Sequence, residues 1–188
     1  MKRFDIYMAG VGGQGIGLLS EAVLRAADYA GHTACGVDTH GLAQRGGMVE
    51  SFVRIGSPVT TPLFRRGRAS LVLALERTEA YRAAEAWARP GGTLIYYDAS
   101  WQPLSVRLGK DEPIHPGGVE ECCARLEVGC IAVTTAVPDP RMQNVALLAV
   151  LAREKLIPGV EIEHYRKALR DLLPDRVLEE NLKILEGM

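Results

Sequence analysis

The sequence predicts a three-layer α/β domain built on a mostly parallel sheet. Three observations carry that prediction. Short apolar runs of strand length alternate with helical patterns along the whole chain, the β-α-β order that feeds a parallel sheet. A glycine-dense turn, Gly10-Val11-Gly12-Gly13-Gln14-Gly15, separates the first apolar run from the first helical pattern. Leu71-Val72-Leu73-Ala74-Leu75 is apolar at every position, as a central strand covered on both faces requires.

Taken in order, Ile6 to Ala9 is the first strand, and a helix follows from about Gln14 to Ala30. Leu19, Ala22, Val23, Ala26 and Ala30 recur there at helical spacing, and Gly31 stands where a C-terminal glycine belongs. Thr33 to Val37 reads as a short buried strand. Met48 to Ile55 alternates, with Val49, Ser51, Val53 and Ile55 on one face and Met48, Glu50, Phe52 and Arg54 on the other. Its polar side predicts a position near a sheet edge or a partner surface. Glu76 ends the apolar strand, and Thr78 is the expected cap of the next helix, with Tyr81, Ala84 and Trp87 or Ala88 inward. Pro90-Gly91-Gly92 should stop that helix, and Leu94 to Tyr97 make another strand.

Residues 100–118 read as irregular. A helix from about Val119 to Leu126 and a strand from Cys130 to Thr134 restore the alternation. Asp139-Pro140 is a helix start, and the helix it opens contains the apolar run Val145 to Ala152. Being apolar on nearly every side, that helix should be buried against the sheet or against another subunit, with part of it forming an interface. Two amphipathic helices close the chain, one lined by Ile162, Tyr165, Leu169 and Leu172, the other by Leu178, Leu182 and Leu185. With 188 residues and 47% hydrophobic composition, one domain over residues 1–188 can bury a sizeable core.

Several function classes fall away at this stage. A formal net charge of -1 gives no electrostatic case for nucleic acid or an acidic membrane, and Arg65-Arg66-Gly67-Arg68 reads as a solvated loop. Cys35, Cys122, Cys123 and Cys130 match neither zinc nor iron–sulfur spacing, so they are expected to be reduced and buried. No signal-peptide core and no bilayer-length apolar run is visible, so the expectation is a soluble cytoplasmic protein with no metal of its own. His32, His115 and His164 lack metal-ligand spacing. A nucleophile elbow and a Walker loop are both missing.

What remains is a pair of loops. Gly10, Gly12 and Gly15 fit G-x-G-x-x-G at a strand-to-helix turn, where backbone N–H groups and the helix dipole favour an anion. Asp38 lies where a dinucleotide fold places its ribose-binding acid; equally, the glycines serve close packing of helix on strand. A second stretch, Thr39-His40-Gly41-Leu42-Ala43-Gln44-Arg45-Gly46-Gly47, follows the next strand. His40 there is either structural or functional. Arg45, flanked by glycine, has a planar fork suited to a carboxylate or phosphate, with an internal salt bridge as the plain alternative.

Together the two loops resemble the gamma-type module of the 2-oxoacid:ferredoxin oxidoreductases, a Rossmann-like domain, and within that family the small (beta) subunits of the indolepyruvate enzymes. Gly67 through Glu76, Asn144, Glu180-Asn181 and Gly187 extend the likeness over nearly the whole chain, although Ser70 stands where an aspartate is common. The resemblance implies a subunit of an enzyme that decarboxylates a 2-oxoacid, here indolepyruvate or another aryl pyruvate, to an acyl-CoA and passes electrons to ferredoxin. It implies thiamine diphosphate and [4Fe-4S] clusters in a larger partner subunit, CoA as co-substrate, no cofactor in this chain, and an isolated chain without activity. His40 and Arg45 are then the candidate catalytic residues. Gly10, Gly12, Gly13, Gln14, Gly15, Thr39, Gln44, Gly46 and Gly47 form loops facing a ligand or the partner. Arg45 would pair with a carboxylate or phosphate while His40 and Gln44 orient it. The rival readings are a free-standing dinucleotide-binding oxidoreductase and a purely structural partner subunit.

Overall fold

Phe4–Val11 forms β1, and its position decides the rest, because strands flank it on both sides. The structure is a computed structural model that describes residues 2–40, 47–100, 108–109, 112–115 and 117–188. Helix α1 (Ile16–Tyr29) leaves the glycine turn and leads to β2 (Ala34–His40). The chain then returns as β3 (Met48–Ile55), and β4 (Ala69–Ala74), α2 (Arg77–Trp87), β5 (Ala88–Tyr97), α3 (Gly118–Arg125) and β6 (Gly129–Val133) follow. A 3₁₀ turn at Pro140–Met142 opens α4 (Gln143–Arg153), and α5 (Ile162–Leu172) and α6 (Asp175–Gly187) complete the fold.

The six-stranded sheet has the order β2-β3-β1-β4-β5-β6. β1, β4, β5 and β6 pair in parallel, whereas β3 is antiparallel to both β1 and β2. Alternation sorts the two faces. Ile6, Met8, Val53, Ile55, Leu71, Leu73 and Ile95 pack under α1, α4, α5 and α6. Tyr7, Ala9, Phe52, Val72, Ala74, Leu94 and Tyr96 pack under α2 and α3. Two helical layers on one sheet give the expected three.

Five expectations need correction. β3 does stand near a sheet edge, one strand in from β2, but it is itself an interior strand, buried from Ser51 to Ile55. Its polar face is satisfied inside the protein: Arg54 Nε donates to Asp5 Oδ1 at 2.7 Å, Arg54 Nη1 donates to the Thr61 carbonyl at 3.0 Å, and the Tyr7 hydroxyl donates to Glu50. A polar alternation thus marks a strand whose polar partners lie on its neighbour. The cap of α2 is Glu76, whose carboxylate accepts from the Glu79 N–H; β4 ends at Ala74 and the helix begins before Thr78. Pro90-Gly91-Gly92 does not separate α2 from β5 but lies within β5, which starts at Ala88 and takes up a register shift opposite Ala69 and Leu71. In α4 every residue from Gln143 to Ala152 is buried by α1, β5, α5 and α6 of the same chain, so the helix is core and offers no interface. All four cysteines are free thiols, but Cys35 and Cys130 are only half-buried because they sit on the edge strands.

Candidate functional site

The glycine turn, the end of β4 and the start of α4 meet at the carboxyl edge of the parallel strands, where open α/β sheets place ligands. Sheet register puts Gly10 level with Val49 and Val49 level with His40, so the ends of β1, β3 and β2 form one row. The two glycine-rich loops are joined directly: the Gly12 N–H donates to the Gly47 carbonyl at 2.8 Å. Thr39, exposed on β2, donates through its hydroxyl to the Glu50 carbonyl at 3.3 Å. Gln44, Arg45 and Gly46 lie outside the described residues, as does the side chain of His40.

Gln14 is placed inside the turn. Its Oε1 accepts from the Val11 N–H at 2.8 Å, and its Nε2 donates to the Leu75 carbonyl at 2.9 Å. The side chain is buried and fastens the turn to the end of β4. The Gln14 N–H in turn donates to the Val11 carbonyl at 3.1 Å. Part of the nest expected from Gly12 to Gly15 is therefore spent on the fold. Gly13 and Gly15 keep their N–H groups outside these bonds, next to the α1 N-terminus, which no described side chain caps. That terminus, with its dipole, is the part of the turn suited to an anion or a partner carbonyl.

Gly15 also has a steric role. Its φ is 85°, and a Cβ there would lie 2.5 Å from Asn144 Nδ2. The same Asn144 nitrogen donates to the Gly15 carbonyl at 3.2 Å. Asn144 so ties the start of α4 to the turn.

Asp38 faces α1 rather than open space. The Ser20 hydroxyl donates to its Oδ1 at 2.9 Å. Because β3 separates β2 from β1, Asp38 is one strand farther from the glycines than a dinucleotide fold's ribose-binding acid. The dinucleotide reading loses its acidic residue on both counts.

On the opposite face of the same edge lies a group that sequence reasoning passed over: Tyr7, Glu50 and Glu79. Burial, the hydrogen bond to Glu50 and the charges of Glu50 and Glu79 push the Tyr7 phenol far above its ordinary value. Burial likewise raises the Glu79 carboxyl, against the pull of Arg82 at 2.9 Å. Tyr7 therefore stays protonated and donates, and Glu50 accepts. The signal for this group is the polar alternation of β3, which by itself points only to a sheet edge or a partner surface.

The described residues suit binding and positioning more than covalent chemistry. Cys35 on β2 and Cys130 on β6 stand on opposite edges of a six-stranded sheet, roughly 24 Å apart at the usual strand spacing. Four cysteines so spread do not fit one [4Fe-4S] cluster. Among the described residues no group of three or more His, Cys, Asp or Glu could hold a metal ion. No helix is long and apolar enough to cross a membrane, among the described residues.

Comparison with known proteins agrees with this architecture. Residues 5–187 match the family described as pyruvate ferredoxin/flavodoxin oxidoreductase. The chain is 34% identical to indolepyruvate oxidoreductase subunit IorB of Archaeoglobus fulgidus, over 98% of this chain and 92% of that protein. Among solved structures, the gamma subunit of a keto/oxoacid ferredoxin oxidoreductase from Geobacter sulfurreducens superposes with a TM-score of 0.68 at 24% identity, covering 99% of this chain and 94% of that one. A 2-oxoglutarate:ferredoxin oxidoreductase from Magnetococcus marinus, solved with 2-oxoglutarate, coenzyme A and succinyl-CoA, contains the fold in 30% of its chain, with a TM-score of 0.67 at 19% identity over 100% of this chain. At such identities the structural likeness is one of fold.

Proposed function

The chain belongs to the pyruvate ferredoxin/flavodoxin oxidoreductase family, and from that premise we propose that it is the small, non-cluster-binding subunit of a 2-oxoacid oxidoreductase acting on indolepyruvate or a related aryl pyruvate. The observation that carries this reading is the likeness to an indolepyruvate oxidoreductase subunit along almost the entire chain. Residues 1–188 form one gamma-type module. A larger partner subunit supplies thiamine diphosphate and [4Fe-4S] clusters, ferredoxin receives the electrons through the assembly, and the assembly is cytoplasmic. Thiamine diphosphate provides the carbanion stabilisation that decarboxylation of a 2-oxoacid needs.

This chain's own contribution is positional. The joined loops present the N–H groups of Gly13 and Gly15 and the α1 N-terminus to a hydrogen-bond acceptor, either an anionic phosphate of CoA or a carbonyl-rich segment of the partner. Arg45 pairs with a carboxylate or phosphate, and His40 and Gln44 orient it. Gly10, Gly12, Gly46 and Gly47 allow the close approach, while Thr39 lines the rim. The fold also occurs within an enzyme solved with CoA, and on this reading the joined loops lie near the CoA entry.

The test is co-purification from the native source followed by reconstitution. A larger iron–sulfur chain should accompany this one. The complex should reduce a viologen dye with indolepyruvate and CoA, while the isolated chain stays silent. Activity from the pure isolated chain, or a complex active on other 2-oxoacids but not aryl pyruvates, would overturn the proposal in whole or in its substrate.

A further inference from the structure

At the opposite end of β1 the loop Arg65-Arg66-Gly67-Arg68 is exposed along its length, as expected of a solvated loop, and it also borders a cleft. Arg3, Asp5, Arg54, Leu63, Phe64, Arg65 and Arg68 line a cleft of about 420 Å³. Its one carboxylate is already used. Asp5 is buried, its Oδ1 lies 2.7 Å from Arg54 Nε, and its Oδ2 lies 3.5 Å from Arg54 Nη2 and 3.7 Å from Arg3 Nε. Among the described residues no carboxylate stands within ion-pair distance of Arg65 or Arg68. Among the described residues the cleft therefore carries a concentrated positive charge that Asp5 alone offsets, and only in part.

The walls hold that charge in place. Arg54 is fixed by Asp5, by the Thr61 carbonyl at 3.0 Å, and by the Phe64 ring, whose centroid is 5.6 Å from its guanidinium carbon. Phe64 itself packs edge-on against Phe52 and Trp87. The loop is tied to α2 by the Gly67 N–H, which donates to the Ala86 carbonyl at 3.0 Å, and Gly67 makes the turn at φ 67°. Arg66 is drawn aside onto the Trp87 ring, 5.8 Å from its centroid. Arg65 and Arg68 remain on the cleft. Holding like charges together on a tethered loop costs energy that an anion would recover.

We propose that this cleft is a binding site for a small molecule carrying a phosphoryl or diphosphoryl group. Its volume lies in the range of small-ligand sites, about 300–1,000 Å³. A net charge of -1 and a single basic cluster leave no extended track for a nucleic-acid backbone. Guanidinium forks bind oxygens in pairs, so several converging forks need more acceptors than one carboxylate's two oxygens provide. A phosphoryl dianion supplies three. The site is separate from the joined glycine loops, because Asp5 and Val11 lie about 20 Å apart along β1 at the usual strand rise.

Isothermal titration of the full-length chain with inorganic pyrophosphate at low ionic strength tests the assignment, with no 2-oxoacid or partner present. Pyrophosphate should bind, and more weakly as sodium chloride is raised. The double variant Arg65→Ala/Arg68→Ala should bind about tenfold or more weakly, the scale of one lost charged hydrogen bond, with an unchanged melting temperature in the absence of ligand. Tricarballylate, a tricarboxylate of similar charge, should bind far less well than pyrophosphate. Equal affinity of the double variant would move the anion elsewhere and overturn the site. Equal affinity for tricarballylate would overturn the phosphoryl class, and absence of pyrophosphate binding would overturn both.

Discussion

Replacing Gly15 by alanine places a methyl group 2.5 Å from Asn144 Nδ2 on a residue whose φ is 85°. Two costs follow. An L-residue in the left-handed region loses about 1–2 kcal/mol. The methyl also drives the Asn144 amide off the Gly15 carbonyl, forfeiting a bond of 3.2 Å worth about 0.5–1.5 kcal/mol. Gly15→Ala should therefore destabilise the chain by about 2–3 kcal/mol, or roughly 4–12 °C in melting temperature for a chain of this size. Asn144→Ala alone should cost about 1 kcal/mol. In the double variant the methyl no longer meets the amide, so the combined loss should fall short of the sum by about 1 kcal/mol. Urea titrations of the four proteins, followed by circular dichroism, measure the cycle. A Gly15→Ala chain within about 0.5 kcal/mol of the parent, or strictly additive losses, would refute the contact between the turn and α4.

Other outcomes follow from the same contacts. Arg54→Met strands the buried Asp5 carboxylate and should cost about 3–5 kcal/mol, whereas Asp5→Leu/Arg54→Met should recover most of it, read as urea midpoints. Burial holds the Tyr165 phenol above its ordinary value of 10.0. The folded chain then keeps that proton longer than the unfolded one, so the contribution is whole below about pH 10 and is lost as pH rises beyond it. Tyr165→Phe removes a hydroxyl that has no hydrogen-bond partner among the described residues; it should leave stability at pH 7 equal or higher and flatten the alkaline loss between pH 9 and 11. An unchanged alkaline slope would count against this. Finally, Arg45→Lys keeps the charge and loses the fork, so the reconstituted complex should lose about 1.5–3 kcal/mol in affinity or rate with the melting temperature of the isolated chain unmoved. The reverse pattern would make Arg45 an internal tie.

The sequence was readable wherever a signal was local. The apolar run Leu71 to Leu75, the helical spacing of Leu19, Ala22, Val23 and Ala26, and the Asp139 cap, whose carboxylate accepts from the Arg141 N–H at 2.9 Å, each need only near neighbours. What failed depended on residues far apart. Nothing near Arg54 announces Asp5, 49 positions away, so the polar alternation pointed to a sheet edge or a partner surface and not to a partner within the chain. Strand order is a global property, and the insertion of β3 beside β1 leaves no mark within either strand. The helix from Gln143 appeared to have surplus apolar surface because its coverage by both closing helices was invisible in one dimension. At the candidate site the turn was legible as a glycine pattern, yet Gln14 was assigned outward when its amide in fact faces Val11 and Leu75.

Three bonds from one short turn reach three separate elements: Gly12 to Gly47 before β3, Gln14 to Leu75 after β4, and Gly15 to Asn144 in α4. The consequence concerns the entropy of association. A loop fastened at so many points has surrendered its conformational freedom during folding, and it has little left to lose when something docks on it. Whatever meets this edge finds amides already oriented. The same bonds tie the turn to both helical layers of the subunit, since Leu75 precedes the cap of α2 and Asn144 stands at the start of the buried helix.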